Sequence, residues 1–373
     1  MFTRRKFVGA SCAIAAGALP ALRLRAQELR PSIVDNGRTT LRSAASSHGI
    51  VYGSAVSSPE FGDSDFCATL AREAAILVPE YEMKRAIVEP SRGAYDFSGC
   101  DRILAFARRH GAQFRGHPLV WHKRNPDWLE ETVERTRDET LITGFVEKVA
   151  GHFRGQAHSW DVVNEAIAPE DGRADNLRRS FWLETFGPHY IDIAYRAARA
   201  ADPGAMLVYN DWGCELGAPA NDRFRAATLD FLGQALGRGV PIDALGLQGH
   251  MRAFGTPVDQ EKLRSFLGHV KAMGLRILVT EHDVDDSGGP SDVALRDRAV
   301  ADTSRRFLDV MVDAGVVAVL TWGLTDRFLQ SPGWRARIGG YEPRMLPLDT
   351  GLQPTPMWRA MIAAFTSQRI KPQ

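Results

Sequence analysis

Gly274-Leu275-Arg276-Ile277-Leu278-Val279-Thr280-Glu281-His282-Asp283 is the stretch that decides the fold. The glycine stands where the amphipathic segment 260–273 has to end, and only a residue tolerant of a left-handed backbone closes a helix cheaply there. An apolar, β-branched run follows at 276–280, too short for a helix and rich enough in Ile, Val and Leu for a buried strand. Two carboxylates, Glu281 and Asp283, then emerge two positions apart, on the same side of the chain. Another amphipathic stretch, 292–314, leads to Gly315 and a further apolar run at 316–322. In that helix Val293, Val300, Phe307, Leu308 and Val312 fall near one face.

The same unit is repeated outward in both directions. Strand candidates are 50–56, 76–83, 113–120, 159–164, 206–210, 244–248, 276–280 and 316–322. Helical patterns lie between them at 100–110, 138–153, 182–201, 221–236, 260–273 and 292–314, with Gly111 as another cap. Eight strands alternating with helices predict a single (β/α)8 TIM barrel of the α/β class over residues 49–367. A doubly wound sheet is the alternative, and no Gly-rich phosphate loop follows an early strand to support it. No internal repeat or second domain is visible. Residues 27–48 read as a linker or short helix, and 368–373 as a tail.

The 373 residues are 44% hydrophobic and 24% charged, which excludes disordered, collagen-like and coiled-coil classes. A net charge of +1 offers no basic field for nucleic acid, so no nucleic-acid partner is expected. The start, Thr3-Arg4-Arg5-Lys6-Phe7 before an Ala/Gly-rich apolar run to about Leu22, predicts a twin-arginine signal peptide over 1–26, cleaved near Ala26. That run is too short to span a membrane. The expectation is an exported protein, periplasmic or extracellular, monomeric and free of the membrane after cleavage. Its removal takes the 46 basic residues to 41 against 45 acidic, a net charge of −4. Cys67, Cys100 and Cys214 remain, an odd number that leaves at least one thiol outside any intramolecular bridge.

Polar residues gather where the strand candidates end: Glu80 and Lys84, His117 and Trp121, Asn164 and Glu165, Asn210 and Asp211, Gln248 and His250, Glu281 and Asp283, and Trp322. In a barrel of this kind, strand ends on one face share a pocket. Any one such residue is ordinarily a loop residue, but seven ends with the same character point to one site. Glu165 and Glu281, at the ends of strands four and seven, suit glycoside hydrolysis, which needs one carboxylic acid at the leaving oxygen and one carboxylate at the anomeric carbon. Metal ligation is the competing chemistry. No His-x-His or His-x-x-x-His pair supports it, and abundant Trp suits sugar faces, so neither metal nor cofactor is expected.

The segments Gly116-His117-Pro118-Leu119-Val120-Trp121-His122, Trp160-Asp161-Val162-Val163-Asn164-Glu165-Ala166 and Val279-Thr280-Glu281-His282-Asp283-Val284 resemble glycoside hydrolase family 10, the retaining endo-β-1,4-xylanase family. Glu82-Met83-Lys84, Glu89-Pro90, Tyr209-Asn210-Asp211, Gln248-Gly249-His250, Trp322-Gly323-Leu324-Thr325-Asp326 and Pro347-Leu348-Asp349 match in the family's order. The resemblance implies a (β/α)8 barrel that hydrolyses xylan or xylooligosaccharides. It implies Glu165 as the general acid/base, which must be protonated before attack and ionised after it, and Glu281 as the ionised nucleophile. His250 then hydrogen-bonds Glu281, Asp283 orients His250, and Asn164 takes the 2-hydroxyl of the reacting sugar. His117 and Gln248 lie near that sugar, Glu80 and Lys84 floor the next subsite, and Trp121 and Trp322 wall the reacting one, with Tyr81 and Asn210 counted among the substrate-binding groups. Trp182 and Trp358 are expected in helix packing.

The chain departs from the family at Tyr81, Arg85, Lys123, Arg124, His282 and Gln330, where the family usually has Asn, Trp, a small polar residue, Gln, an aliphatic residue and an aromatic; Trp334 is a candidate substitute for the last. Arg85, Lys123 and Arg124 predict a preference for xylan with anionic decoration such as glucuronate. Other readings stand beside xylan hydrolysis: the same mechanism on another β-1,4-glycan, or a non-catalytic polysaccharide-binding barrel.

Overall fold

The computed structural model describes residues 39–330 and 342–367. The signal segment, Trp334, the side chain of Gln330 and the tail 368–373 lie outside the described residues.

Among the described residues nine strands are formed: β1 (Val51–Val56), β2 (Ile76–Pro79), β3 (Gln113–Gly116), β4 (Ala157–Asn164), β5 (Met206–Asp211), β6 (Ala244–Leu247), β7 (His250–Arg252), β8 (Arg276–Asp285) and β9 (Ala318–Thr321). Strands β1 to β6 pair in sequence, all parallel; β6 pairs with β8, β8 with β9 and β9 with β1, so eight strands close a barrel. The ninth, β7, pairs only with the far half of β8, His250 opposite Asp283, and raises the wall at the rim. Strand alternation explains why these apolar runs sort into two layers. Ile76, Val78, Met206, Val208, Ala318 and Leu320 fill the barrel interior, while Leu77, Leu207, Tyr209, Ile277 and Val319 face the helices.

The strand predictions agree with the structure to within a few residues. Gly111, Gly274 and Gly315 have φ of 60°, 81° and 80°, the left-handed cap geometry expected of them. The predicted helix 182–201 is two helices, Phe181–Phe186 and His189–Ala201, because Gly187 at φ 63° and Pro188 interrupt it. Helices Ser64–Glu73, Asp127–Thr136 and Pro356–Thr366 were not anticipated. A capped turn of helix, Leu41–Ser46, occupies the segment read as linker or short helix, with Leu41 and Ala45 fully buried. Cys67, Cys100 and Cys214 are free thiols. Trp182 is buried, and Trp358 is half-buried with its indole N–H on Glu73 at 3.2 Å. Among the described residues no helix is long and apolar enough to cross a membrane.

Candidate active site

Strand β8 runs on past its barrel partners, and this extension carries Glu281 into the C-terminal mouth. The Glu281 side chain is almost fully buried. Its Oε1 accepts from Asn210 Nδ2 at 2.7 Å and its Oε2 from His250 Nε2 at 3.1 Å. The other His250 nitrogen, Nδ1, lies 3.0 Å from Asp283 Oδ2. Burial alone would lower the pKa of His250, but two carboxylates facing its two nitrogens drive it well above the ordinary value. Burial would likewise raise Glu281; the His117 imidazole, the His250 bond and charge, and the Asn210 amide overcome this and pull it down to about 2. Glu281 is therefore an anion throughout the ordinary pH range.

Glu165 follows β4 with φ 57°, a left-handed conformation that costs a non-glycine residue roughly 1–3 kcal/mol. The turn is held from both sides: Glu165 N donates to Asn210 O at 2.9 Å, and Arg178 Nε donates to Glu165 O at 2.7 Å. Its Oε1 accepts from Gln248 Nε2 at 3.1 Å. Oε2 makes no hydrogen bond, with Lys123 Nζ at 3.7 Å and His122 Nε2 at 4.0 Å. The two glutamates thus differ in surroundings: one carboxylate is fully engaged by donors, the other keeps an uncommitted oxygen.

Both line one cleft of about 430 Å³, together with Lys84, His117, Trp121, Asn164, Gln248, His250 and Trp322. Lys84 is buried, its ammonium 4.7 Å from the Tyr81 ring centre, 5.6 Å from Trp121 and 5.7 Å from Trp322. Burial lowers its pKa against the opposing pull of Glu281 and Glu80. Glu80 lies beyond Lys84, accepting from Ser57 Oγ at 3.3 Å, and burial raises its pKa. Tyr81 is 45% exposed. The ends of the Asn164 amide face two N–H donors, Asn210 Nδ2 at 2.9 Å and the Trp121 indole at 3.2 Å, so its oxygen answers only one.

Two expectations need correction. Asn210, counted as substrate-binding, is fully buried beneath the cleft. Its Nδ2 serves Glu281, and its Oδ1 accepts from Thr280 Oγ1 at 2.6 Å, so it supports the carboxylates and presents nothing to a ligand. Arg85, expected to reach an anion, is buried against the Phe145 ring at 4.2 Å, paired with Glu89 at 2.9 Å, and donates to Leu141 O. Its charge is spent inside the protein.

The structure adds residues that the sequence reading missed. Trp212, 38% exposed, lines the cleft and packs on Phe224 with ring centres 5.0 Å apart; an indole directly after Asn210-Asp211 at a strand end was the available signal. Glu215, Leu216 and Asn221 also line it. Arg178, which braces the Glu165 turn, carried no sequence signal. His117, at a cis bond to Pro118, donates from Nδ1 to Asp161 Oδ2 at 2.8 Å, and Arg115 engages both Asp161 oxygens. Among the described residues, ligand atoms of His117, Asp161 and Glu281 lie within 4.8 Å of one another. A cation entering there would have to displace the Arg115 guanidinium from Asp161, so this donor set suits a hydrogen-bond network better than a metal.

A family model described as glycosyl hydrolase family 10 matches residues 40–364. Endo-1,4-beta-xylanase B of Thermotoga neapolitana is 33% identical over 294 residues, which cover 78% of this chain and 80% of the relative. The endo-1,4-beta-xylanase of Agaricus bisporus is 30% identical over 340 residues, 90% of this chain and 97% of the relative. The crystal structure of native xylanase 10B from Thermotoga maritima superposes with a TM-score of 0.78 at 28% identity, covering 88% of this chain and 98% of that one. A closed barrel, two glutamates of contrasting environment in one cleft, and a match along nearly all of the described chain converge: the protein is a glycoside hydrolase and belongs to glycosyl hydrolase family 10.

Proposed function

We propose that this protein is an exported endo-1,4-β-xylanase that hydrolyses xylan with retention of configuration, using Glu281 as nucleophile and Glu165 as acid/base. The observation that carries the proposal is the contrast between Glu281, locked as an anion by His250 and Asn210, and Glu165, which keeps an oxygen without a hydrogen bond in the same cleft. In the first step a Glu281 oxygen bonds to the anomeric carbon, the glycosidic C–O bond breaks, and the Glu165 proton passes to the leaving oxygen. In the second, water adds to the anomeric carbon, gives its proton to Glu165, and the Glu281 ester bond breaks, restoring both groups.

Asn164 and His117 border the reacting sugar, and hydrogen bonds made by its 2-hydroxyl strengthen as positive charge develops on the ring. Trp121 and Trp322 present indole faces to the pyranose. Lys84, Glu80 and Tyr81 form the subsite on the non-reducing side, and Trp212 offers a platform on the other wall. The similar enzymes of Thermotoga neapolitana and Agaricus bisporus are named for xylan cleavage, and a xylanase 10B from Thermotoga petrophila with TM-score 0.78 was solved with xylobiose. The twin-arginine start supports export, consistent with a polymer that cannot enter a cell, and the enzyme acts as a monomer.

The test is reducing-sugar release from xylan by the mature protein, with NMR of the first product to read the anomer. Xylooligosaccharides bearing the β-anomer are expected, with release abolished in Glu281→Ala. In Glu165→Ala, cleavage of xylan should fall about 10²- to 10⁴-fold, with aryl glycosides carrying good leaving groups affected least. An α-anomer as first product, undiminished activity in Glu281→Ala, or preferential release of cellooligosaccharides from cellulose would refute the reading.

A further inference from the structure

Two buried titratable side chains beside the cleft take no part in either step: Glu215 and His282. Both are committed to the backbone of one residue, Gly249, through the two peptide groups that flank its Cα. Glu215 Oε1 accepts from Gly249 N at 3.1 Å, while its Oε2 accepts from Gly213 N at 2.8 Å. His282 Nδ1 lies 2.9 Å from Gly249 O, and its Nε2 lies 2.9 Å from Ser304 Oγ. A carbonyl only accepts, so the ring donates from Nδ1 and takes the serine hydroxyl on Nε2.

Gly249 has φ 76°, and an added Cβ would press on Phe307 and Val279 at 3.2 and 3.3 Å. The residues on either side of this turn reach the two glutamates. Gln248 Nε2 donates to Glu165 Oε1 at 3.1 Å, and His250 Nε2 to Glu281 Oε2 at 3.1 Å. We propose that Glu215 and His282 are positioning residues which clamp the Gly249 turn, Glu215 at the N–H of the Gln248–Gly249 peptide and His282 at the C=O of the Gly249–His250 peptide, so that one clamp aims both carboxylates. The idea rests on Glu165 and Glu281 being the reacting pair. It gives a purpose to His282, which stands where the family usually has an aliphatic residue.

The isosteric variant Glu215→Gln turns one accepting oxygen into an N–H₂ facing another N–H, so one of its two bonds is lost. His282→Leu removes the hold on the carbonyl, and His282→Asn restores a donor near the Nδ1 position. On xylan, Glu215→Gln should lower kcat about ten- to hundred-fold with KM changed less than about twofold. The acid limb of kcat/KM should move to higher pH as His250 drifts from Glu281. His282→Leu should do the same less strongly, and His282→Asn should recover most of the loss. Folded variants, judged by circular dichroism and melting, that keep the wild-type kcat and pH profile would overturn the clamp, as would losses confined to KM. If Glu215→Gln does not fold, the His282 pair decides by the same readouts. Wild-type protein inactive on every β-1,4-glycan would instead refute the hydrolase reading and the clamp with it.

Discussion

Replacing His250 by alanine tests how Glu281, the proposed nucleophile, is kept ionised. The change deletes a cationic donor 3.1 Å from Glu281 Oε2. A hydrogen bond to a charged group contributes about 1.5–3 kcal/mol, and with 37% of the His250 side chain open to solvent the screened lower end, about 1.5 kcal/mol, applies. At about 1.4 kcal/mol per pH unit this moves the Glu281 carboxyl up by roughly one unit, from about 2 to about 3. Asp283 loses its partner and adds negative charge nearby, which pushes the same way. Asn210 and His117 remain and bound the shift. Because the first step needs the anion, kcat/KM falls tenfold for each unit below this pKa. An aryl xylobioside assayed from about pH 2.5 to 7, with folding followed at each pH, reads the limb directly. An acid limb that stays where the wild type has it, or moves down, would refute the electrostatic account of Glu281.

Three further outcomes follow from other parts of the molecule. Lys123 is 59% exposed and 3.7 Å from Glu165 Oε2; if it meets an anionic sugar branch, Lys123→Ala should lower activity on glucuronoxylan relative to neutral arabinoxylan about two- to fivefold, and an unchanged ratio would count against it. Gly116→Ala would set a Cβ 2.1 Å from the buried Trp160 ring, so a urea melt should show a loss of at least about 1–3 kcal/mol. His282, pushed to about 4 by burial, is neutral in the fold but titrates near 6.5 when unfolded. Its contribution is intact above pH 6.5 and drains away as pH falls to about 4, a change on the order of 3 kcal/mol; stability measured across that window should slope more steeply for wild type than for His282→Leu.

The barrel strands were legible because each is a short apolar run bounded by a cap glycine or a polar end. β7 was not, since three residues with only Met251 buried carry no periodicity. The helix Asp127–Thr136 escaped notice for a related reason: its buried face rests on Leu129 and Val133 alone. In the site, residues at strand ends were found by position, and most of them do meet in the cleft. Which way each one points was harder to read. Asn164 ends its strand, Asn210 is next to last in its own, and the two stand opposite each other in register, yet Asn164 lines the cleft while Asn210 lies sealed beneath it. The charge on Arg85 suggested a solvent-facing role, and only packing against Phe145, Trp128 and Trp182 shows it to be a core residue. Arg178 and Glu215 work through backbone groups, which leave no trace in residue type.

Asn210 receives the Glu165 amide on its carbonyl and sends its own side-chain amide to Glu281. Both glutamates of the proposed reaction are thereby anchored to one barrel strand, below every rim loop. Loop grafting aimed at new polymers or at bulkier branches can therefore redesign what enters the groove while leaving the stereochemical outcome untouched. A library that randomises the rim and spares this single asparagine should yield altered specificities in abundance and inverted products in none.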